Sequence, residues 1–465
     1  GDFNFDGKVD IAVGASDYSS ARGRAYIFYN DGSIPTTAAT ADVIISASGI
    51  VYVFGYSLAS GDFNADGRAD LAVGAYDFNA SFGFVHIFYN DGSIPTTEVT
   101  SDIKITGEST SNFGTSLATG DFNSDGRTDL AVGAVAYSSG AGRSYLFYND
   151  GSIPTTAATA DVIITGEASS SFGSTLISSD FNSDGRVDFA VGATSYSSST
   201  GRAYIFYNDG SIPTTAATAD VVITGEATGN YFSTSLASGD FNADGKTDLV
   251  VGASRYSTNT GRVYLYETRD NFAWQLQSVP SLSGGLRINP NFSGQELKVT
   301  GEVGSGSFGV ALTAGDFNAD GKTDLAVGAY AYSTNIGRVY IFYNDGHLAA
   351  AATSADVVIS GETTSNNFGS SLTSGDFNAD GKTDLAVGAY GYSSSTGRVY
   401  IFYNDGSIPI IAATADVIIT GETTNNYFGQ GLVAGDWNAD GKTDLAVAKE
   451  IAPTGGAGRV YLFYG

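Results

Sequence analysis

Eight times along the chain, oxygen-bearing side chains recur at alternating positions in the order Asp-x-Asn-x-Asp-Gly-x-x-Asp. In one copy, Asp376, Asn378 and Asp380 stand at positions 1, 3 and 5. Gly381 at position 6 permits a sharp turn, Lys382 at position 7 can offer only its backbone carbonyl, and Asp384 at position 9 closes the set. Hard oxygen donors at this spacing suit Ca²⁺, which takes six to eight oxygens at about 2.3–2.6 Å. The other sets are Asp2, Asn4, Asp6, Lys8 and Asp10; Asp62, Asn64, Asp66, Arg68 and Asp70; Asp121, Asn123, Asp125, Arg127 and Asp129; Asp180, Asn182, Asp184, Arg186 and Asp188; Asp240, Asn242, Asp244, Lys246 and Asp248; Asp316, Asn318, Asp320, Lys322 and Asp324; and Asp436, Asn438, Asp440, Lys442 and Asp444. The expected cofactor is Ca²⁺, about eight ions, one per loop. A single such match could be an Asx-rich turn; eight intact copies argue for metal. Their uniformity argues for a structural rather than a catalytic ion.

The first half of each loop matches an EF-hand loop, but the closing Glu at position 12 is missing and no helical pattern flanks it. The loops must therefore sit on other elements. They begin at Asp2, Asp62, Asp121, Asp180, Asp240, Asp316, Asp376 and Asp436, at spacings of 60, 59, 59, 60, 76, 60 and 60. A fixed period of this length means repeats that share one fold. Each unit reads as four strands, for example Ser116 to Ala118, Asp129 to Ala134, the aromatic Arg143 to Tyr148, and the β-branched Asp161 to Thr165. Asn-Asp-Gly after the third strand signals a tight turn. No segment carries a sustained helical period.

Four short antiparallel strands per unit predict an all-β fold, a β-propeller of four-stranded blades. Residues 1–465 form one domain, with units starting near 1, 54, 113, 172, 232, 308, 368 and 428 and an insertion at 267–298. Eight blades, two of them incomplete, is the preferred count; seven blades plus a surplus half-unit is the alternative. The second strand, Leu-Ala-Val-Gly-Ala, is small and apolar, so both its faces should be covered by neighbouring blades. Unfinished blades at both ends could pair between chains, because exposed strand edges invite addition. Head-to-tail self-association is therefore a further expectation, and a monodisperse monomer in calcium would count against it.

The net charge of −27 disfavours nucleic acid, whose phosphates need clustered Lys and Arg. The loops hold 24 of the 49 acidic residues, and eight divalent ions would bring the charge to about −11. There is no Cys, so calcium would replace disulfides as the staple of an extracellular protein. No apolar run reaches the roughly 18 residues of a membrane span.

Phe-Gly before the first strand, Gly-Asp-Phe-Asn-x-Asp-Gly at the loop and Val-Gly-Ala after it resemble the FG-GAP repeat. Instances are Phe113-Gly114, Phe172-Gly173, Phe308-Gly309, Phe368-Gly369 and Phe428-Gly429. The resemblance covers nearly the whole chain. It implies the β-propeller head of integrin α subunits, also found in fungal lectins and bacterial surface proteins, with the loop aspartates binding Ca²⁺ on one face. Three departures from the integrin pattern stand out. Calcium loops occur in every unit, Tyr76, Tyr330 and Tyr390 replace a frequent Pro, and no further integrin domains are present. An extracellular or cell-surface protein of prokaryotic type is the closer fit.

The resemblance also implies that ligands, protein or glycan, bind on the face opposite calcium. An aromatic recurs there at Tyr18, Phe78, Tyr137, Tyr196, Tyr256, Tyr332 and Tyr392, beside Ser, Thr and Asn. Such rings suit a lectin; the alternative is that they pack between blades. The insertion carries Trp274, Arg269, Arg287, Asn289 and Pro290, and Trp and Arg are common at binding hot spots. It is equally readable as a longer surface hairpin. With His86 and His347 in different units, no Cys and no nucleophile elbow, no enzyme is expected. The expected role is a structural or adhesive module, with a lectin as the alternative and a calcium-dependent enzyme third.

Overall fold

A computed structural model describes residues 2–5, 10–15, 22–29, 41–47, 53–76, 82–108, 110–242, 244–267, 296–302, 306–344, 351–421, 427–435, 443–449 and 459–463. Asp6, Lys8, Tyr18, Phe78, Trp274, His347, Asp436, Asn438, Asp440 and Lys442 lie outside them. So do Arg269, Arg287, Asn289 and Pro290.

Among the described residues the strands form eight antiparallel sheets in chain order, six of four strands and one of three at each end. These are the blades of an all-β propeller. Blade 3 is typical. Its strands are Phe113–Gly120, Asp129–Ala134, Arg143–Phe147 and Val162–Thr165, each paired with the next in sequence. The first strand is longer than its sequence suggests. Phe113 pairs with Ala134, the register then skips, and Ser116 pairs with Gly133. Gly114, at φ +88°, occupies the resulting bulge, a left-handed conformation that a side chain disfavours. Blade 5 corrects the expected bounds of the insertion. Glu296–Thr300 pairs with Arg262–Tyr266 as an ordinary fourth strand, so the extra chain ends before Glu296.

The second strands are buried along their full length in blades 2 to 7. Alternate residues face opposite neighbours. Val132 packs in a cluster that joins blades 2 and 3, with Phe63, Val85, Ile87, Phe113, Tyr145 and Phe147. Ala131 packs in the next cluster, which joins blades 3 and 4. Blades 2 to 7 thus each supply half of two cores, which is why a lone unit could not bury its apolar faces.

Backbone contacts sew the seams. Gly142 bridges Phe172 and Thr165 bridges Thr215 in parallel, and the same pairings recur around the fold. On the inner strands, Ser116 Oγ donates to the Gly173 carbonyl of blade 4 at 2.7 Å, and Ser57, Ser235 and Ser371 repeat the bond. The glycine of Val-Gly-Ala makes this approach possible. A Cβ on Gly133 would stand 2.2 Å from the Gly173 carbonyl oxygen, and equivalent clashes arise at Gly74, Gly328 and Gly388. Gly133→Ala is therefore expected to cost about 1–3 kcal/mol by overpacking. A lower urea midpoint with an unchanged slope would register it; a wild-type midpoint would mean that the seam has room to spare.

Candidate functional site

The aspartate loops connect first to second strands, so they all lie at one end of the blades. Position 9 opens the second strand and is 0% exposed at Asp70, Asp129, Asp188, Asp248, Asp324 and Asp384. Both oxygens of this carboxylate are engaged. In blade 4, Asp188 Oδ2 accepts the Phe181 N–H at 2.8 Å and Oδ1 accepts the Asn208 N–H at 2.8 Å. Phe181 lies within the loop, and Asn208 follows the third strand. The carboxylate therefore ties the loop to the far hairpin of its own blade. Blades 2, 3, 6 and 7 repeat both bonds. Burial pushes the Asp188 carboxyl up to about 6; the two N–H bonds oppose this, and the charges of Asp184 and Asp180 add to it.

Positions 1, 3 and 5 are wound against the loop backbone. Asp180 accepts N–H bonds from Asp184 and Gly185, Asn182 accepts one from Asp184, and Asp184 accepts one from Arg186. Loops 2, 3, 5, 6 and 7 show the same bonds. Among the described residues, no group of three or more acidic or imidazole side chains is gathered closely enough to hold a metal ion. The donor set nevertheless fits a hard divalent cation. It comprises three carboxylates, an amide oxygen and a backbone carbonyl per loop, and a carboxylate has about four lone-pair sites on its two oxygens, so oxygens that already accept one N–H bond keep a lone pair for coordination. Position 7 does more than supply a carbonyl. The Arg127 and Arg186 guanidiniums and the Lys322 and Lys382 ammoniums each donate to the carbonyl of the post-third-strand Asn.

That asparagine escaped the sequence reading, which took Asn-Asp-Gly only as a turn. Its side chain also reaches backwards, and Asn149 Nδ2 donates to the Asp62 carbonyl of the preceding blade's loop at 3.2 Å. Asp376 N–H in turn donates to Thr443 Oγ1 of the next blade at 2.9 Å. Asn208 and Asn404 reach the Asp121 and Asp316 carbonyls in the same way, so several of the loops are held by their successors in a belt.

At the other end of the blades, the candidate ligand rings are half-buried and paired with arginines. The guanidinium carbons of Arg143, Arg202, Arg262, Arg338 and Arg398 lie 3.7, 3.7, 3.7, 3.9 and 3.6 Å from the ring centres of Tyr137, Tyr196, Tyr256, Tyr332 and Tyr392. One face of each ring is thus occupied by a cation–π contact. The same arginines form ion pairs with Glu108, Glu167, Glu226, Glu302 and Glu362, each from the preceding blade. Tyr145, Tyr204 and Tyr400 hydroxyls donate to these glutamates at 2.7, 2.7 and 2.8 Å. Burial first, and the glutamate second, push these phenols far above their ordinary value. The recurrence of Gly-Glu after the fourth strand and Gly-Arg before the third was the available sequence signal for this clamp.

His86 takes the place of the clamp tyrosine in blade 2. It is 3% exposed, packs against Phe54, and its Nδ1 meets Ser101 Oγ at 3.0 Å. Burial, with Lys104 adding, pushes its pKa down to about 4. The Ser101 hydroxyl donates to the Glu98 carbonyl at 3.0 Å, so this pair reads as a satisfied core contact.

The FG-GAP repeat model matches residues 54–88, 113–147, 172–206, 232–266, 308–342, 368–402 and 428–463, together more than half of the chain. The chain belongs to the FG-GAP repeat family. Each matched FG-GAP segment runs from the first strand through the aspartate loop to the end of the third strand. Among FG-GAP relatives, integrin alpha-PS2 of Drosophila melanogaster is 33% identical over 261 residues, 52% of this chain and 16% of that protein. Mouse (Mus musculus) integrin alpha-M is 36% identical over 180 residues, 37% of this chain and 14% of the other. Phosphatidylinositol-glycan-specific phospholipase D of Bos taurus is 37% identical over 171 residues, 34% and 20% of the two chains. The chain thus spans a fifth or less of each of these relatives. A solved structure of the Dos1 propeller superposes with a TM-score of 0.55 at 13% identity, covering 98% of this chain and 91% of that one, a likeness of fold. No helix among the described residues is long and apolar enough to cross a membrane.

The FG-GAP loop thus contains two kinds of aspartate, and mutation separates them. In chelator, Asp188→Asn should destabilise by about 1–3 kcal/mol, because an amide presents an N–H₂ to one of two buried N–H donors. Asp180→Asn, whose bonds lie within an exposed loop, should change stability little under the same conditions. Equal urea midpoints for the two variants would refute the distinction.

Proposed function

We propose that this chain is a calcium-stabilised binding module, the propeller part of a secreted or cell-surface protein of structural or adhesive role, and not an enzyme. The observation that carries the reading is the belt of aspartate loops. Its donors collect at one end of the blades and are anchored through a buried carboxylate, which leaves the opposite end to meet a partner. The integrin names among the relatives support an adhesive role, and the absence of Cys supports calcium as the staple. The clamped tyrosines and the buried His86 supply no reactive constellation. Where calcium is bound, it supplies charge neutralisation to the loop, with Asp180, Asn182, Asp184, the Arg186 carbonyl and Asp188 as the holders in blade 4.

Because a ligand of the native state stabilises by mass action, one site at a hundred times its Kd contributes about 2.7 kcal/mol. Melting with and without EGTA, paired with a metal count by mass spectrometry, tests the proposal. Several bound calcium ions per chain and a fall of the melting temperature by ten degrees or more are expected. An unchanged melting temperature with no bound metal would sink it.

A further inference from the structure

The asparagine after the third strand is a three-way node. In blade 3 the Asn149 N–H donates to Asp129 Oδ1 at 2.7 Å, and its carbonyl accepts from the Arg127 guanidinium at 3.2 Å. Its Nδ2 donates to the Asp62 carbonyl at 3.2 Å. Asp129 and Arg127 are positions 9 and 7 of loop 3, and Asp62 is position 1 of loop 2. One buried residue therefore holds the backbone of one loop from the frame of the next. Asn208 repeats the node. It bonds with Asp188 and Arg186 of loop 4, and its Nδ2 reaches the Asp121 carbonyl at 3.5 Å and Ser124 Oγ at 3.1 Å, both in loop 3. Asn404 does the same between loops 7 and 6.

The chain also contains this node without its third bond. Asn344 N–H donates to Asp324 Oδ1 at 2.7 Å and its carbonyl accepts from Lys322 Nζ at 3.0 Å, as in the sister blades. Its Nδ2 is buried and has no partner among the described residues, and the same holds for Asn90. Blade 5 has Thr268 in place of the asparagine. Among the described residues, the loops linked by this amide fall into two groups, 2 to 4 and 6 to 7, with blade 5 between them.

We infer that Asn149, Asn208 and Asn404 are positioning residues that couple neighbouring metal loops, so that calcium taken up by one loop raises the affinity of the loop before it. The inference rests on reading the loops as calcium sites. The physical route is ordering. Asp129 and the Arg127 carbonyl are holders in loop 3, and both residues also bond to Asn149. Fixing them fixes Asn149, and Asn149 fixes the residue at which loop 2 begins. A loop ordered in advance loses less conformational entropy when it binds. Coupling is reciprocal, so the effect also runs from loop 2 to loop 3. Charge works the other way. Three carboxylates and one guanidinium give empty loop 3 a charge of −2, and a bound Ca²⁺ cancels the pull of that charge on ions nearby. Salt screens the pull between exposed charges beyond about 8 Å at physiological ionic strength and leaves the hydrogen-bonded route intact.

Hydrogen exchange followed by mass spectrometry through a calcium titration, at physiological ionic strength, reads the calcium midpoint of each loop on the whole chain. Loop 3 is disabled with Asp125→Ala. The loop 2 midpoint, followed at 62–70, should then rise about fivefold or more, while that of loop 6, at 316–324, stays in place. Asn149→Ala should raise the loop 2 midpoint by a similar factor, and adding Asp125→Ala to it should raise it no further. Asn344→Ala, the same truncation at a node without its third bond, should leave the loop 5 midpoint, at 240–248, where it was. If Asn149→Ala fails to fold, the same cycle runs at the next seam with Asp184→Ala, Asn208→Ala and loop 3. A loop 2 midpoint that ignores Asp125→Ala, one that still responds to it in Asn149→Ala, or an equal response of loop 5 to Asn344→Ala would overturn the coupling. Calcium protection without these shifts sinks the coupling alone; no calcium protection in any loop sinks the calcium reading with it.

Discussion

Each blade depends on a buried carboxylate that answers two backbone N–H groups from opposite sides. Asp188 joins Phe181 of the loop to Asn208 beyond the third strand, and a charge-assisted bond of this kind contributes about 1.5–3 kcal/mol. Without it, two buried donors would be left unpaired and the loop would be tied to the far hairpin only by the exposed position-7 side chain, Arg186 in blade 4. The cost is a desolvated carboxylate with Asp180 and Asp184 nearby, visible in its raised pKa. A divalent ion at the loop would relieve that cost, and its role there would be in stability rather than in chemistry.

The seams extend the same logic between blades. Among the described residues, apolar clusters are shared by consecutive sheets and no blade has a private core. Glycine at the end of the second strand lets two backbones approach to a distance that any side chain would block. Serine rungs on the inner strands, the asparagine that reaches the previous loop, and the Glu–Arg–Tyr clamp each span a seam at a different radius or end. Near-identical units satisfy all these contacts at once, because each presents one surface to its predecessor and the complementary one to its successor.

Uniform seams also explain where individuality is tolerated. Blade 2 replaces the clamp arginine and tyrosine with Phe84 and His86, and Lys104 then lies over the Phe84 ring at 3.8 Å. The substitution keeps an aromatic filling at the seam while removing the ion pair. The rim residues Tyr330, Tyr390 and Tyr427 touch solvent on one side, so their replacement by smaller residues in other blades leaves the cores intact.

Much of this was legible in the residues alone. The period, the four-strand unit, the turn chemistry and the apolar second strand are local patterns, and local patterns determine blades. The sequence also determined the oxygen donor set of each loop, because the spacing of Asp and Asn within nine residues needs no tertiary information. It could not rank those donors. Asp188 and Asp180 look alike in the motif, and only the fold buries one and leaves the other at the surface. Nor could it separate Tyr196 from Tyr390, since both sit in polar loops after a second strand. The partner of the first is Arg202 of its own blade, held by Glu167 of the blade before, whereas the second meets Tyr330 and Tyr427 of the blades on either side. Contacts between residues some 35 to 60 positions apart are set by how one blade is turned against the next, and that geometry belongs to the tertiary structure.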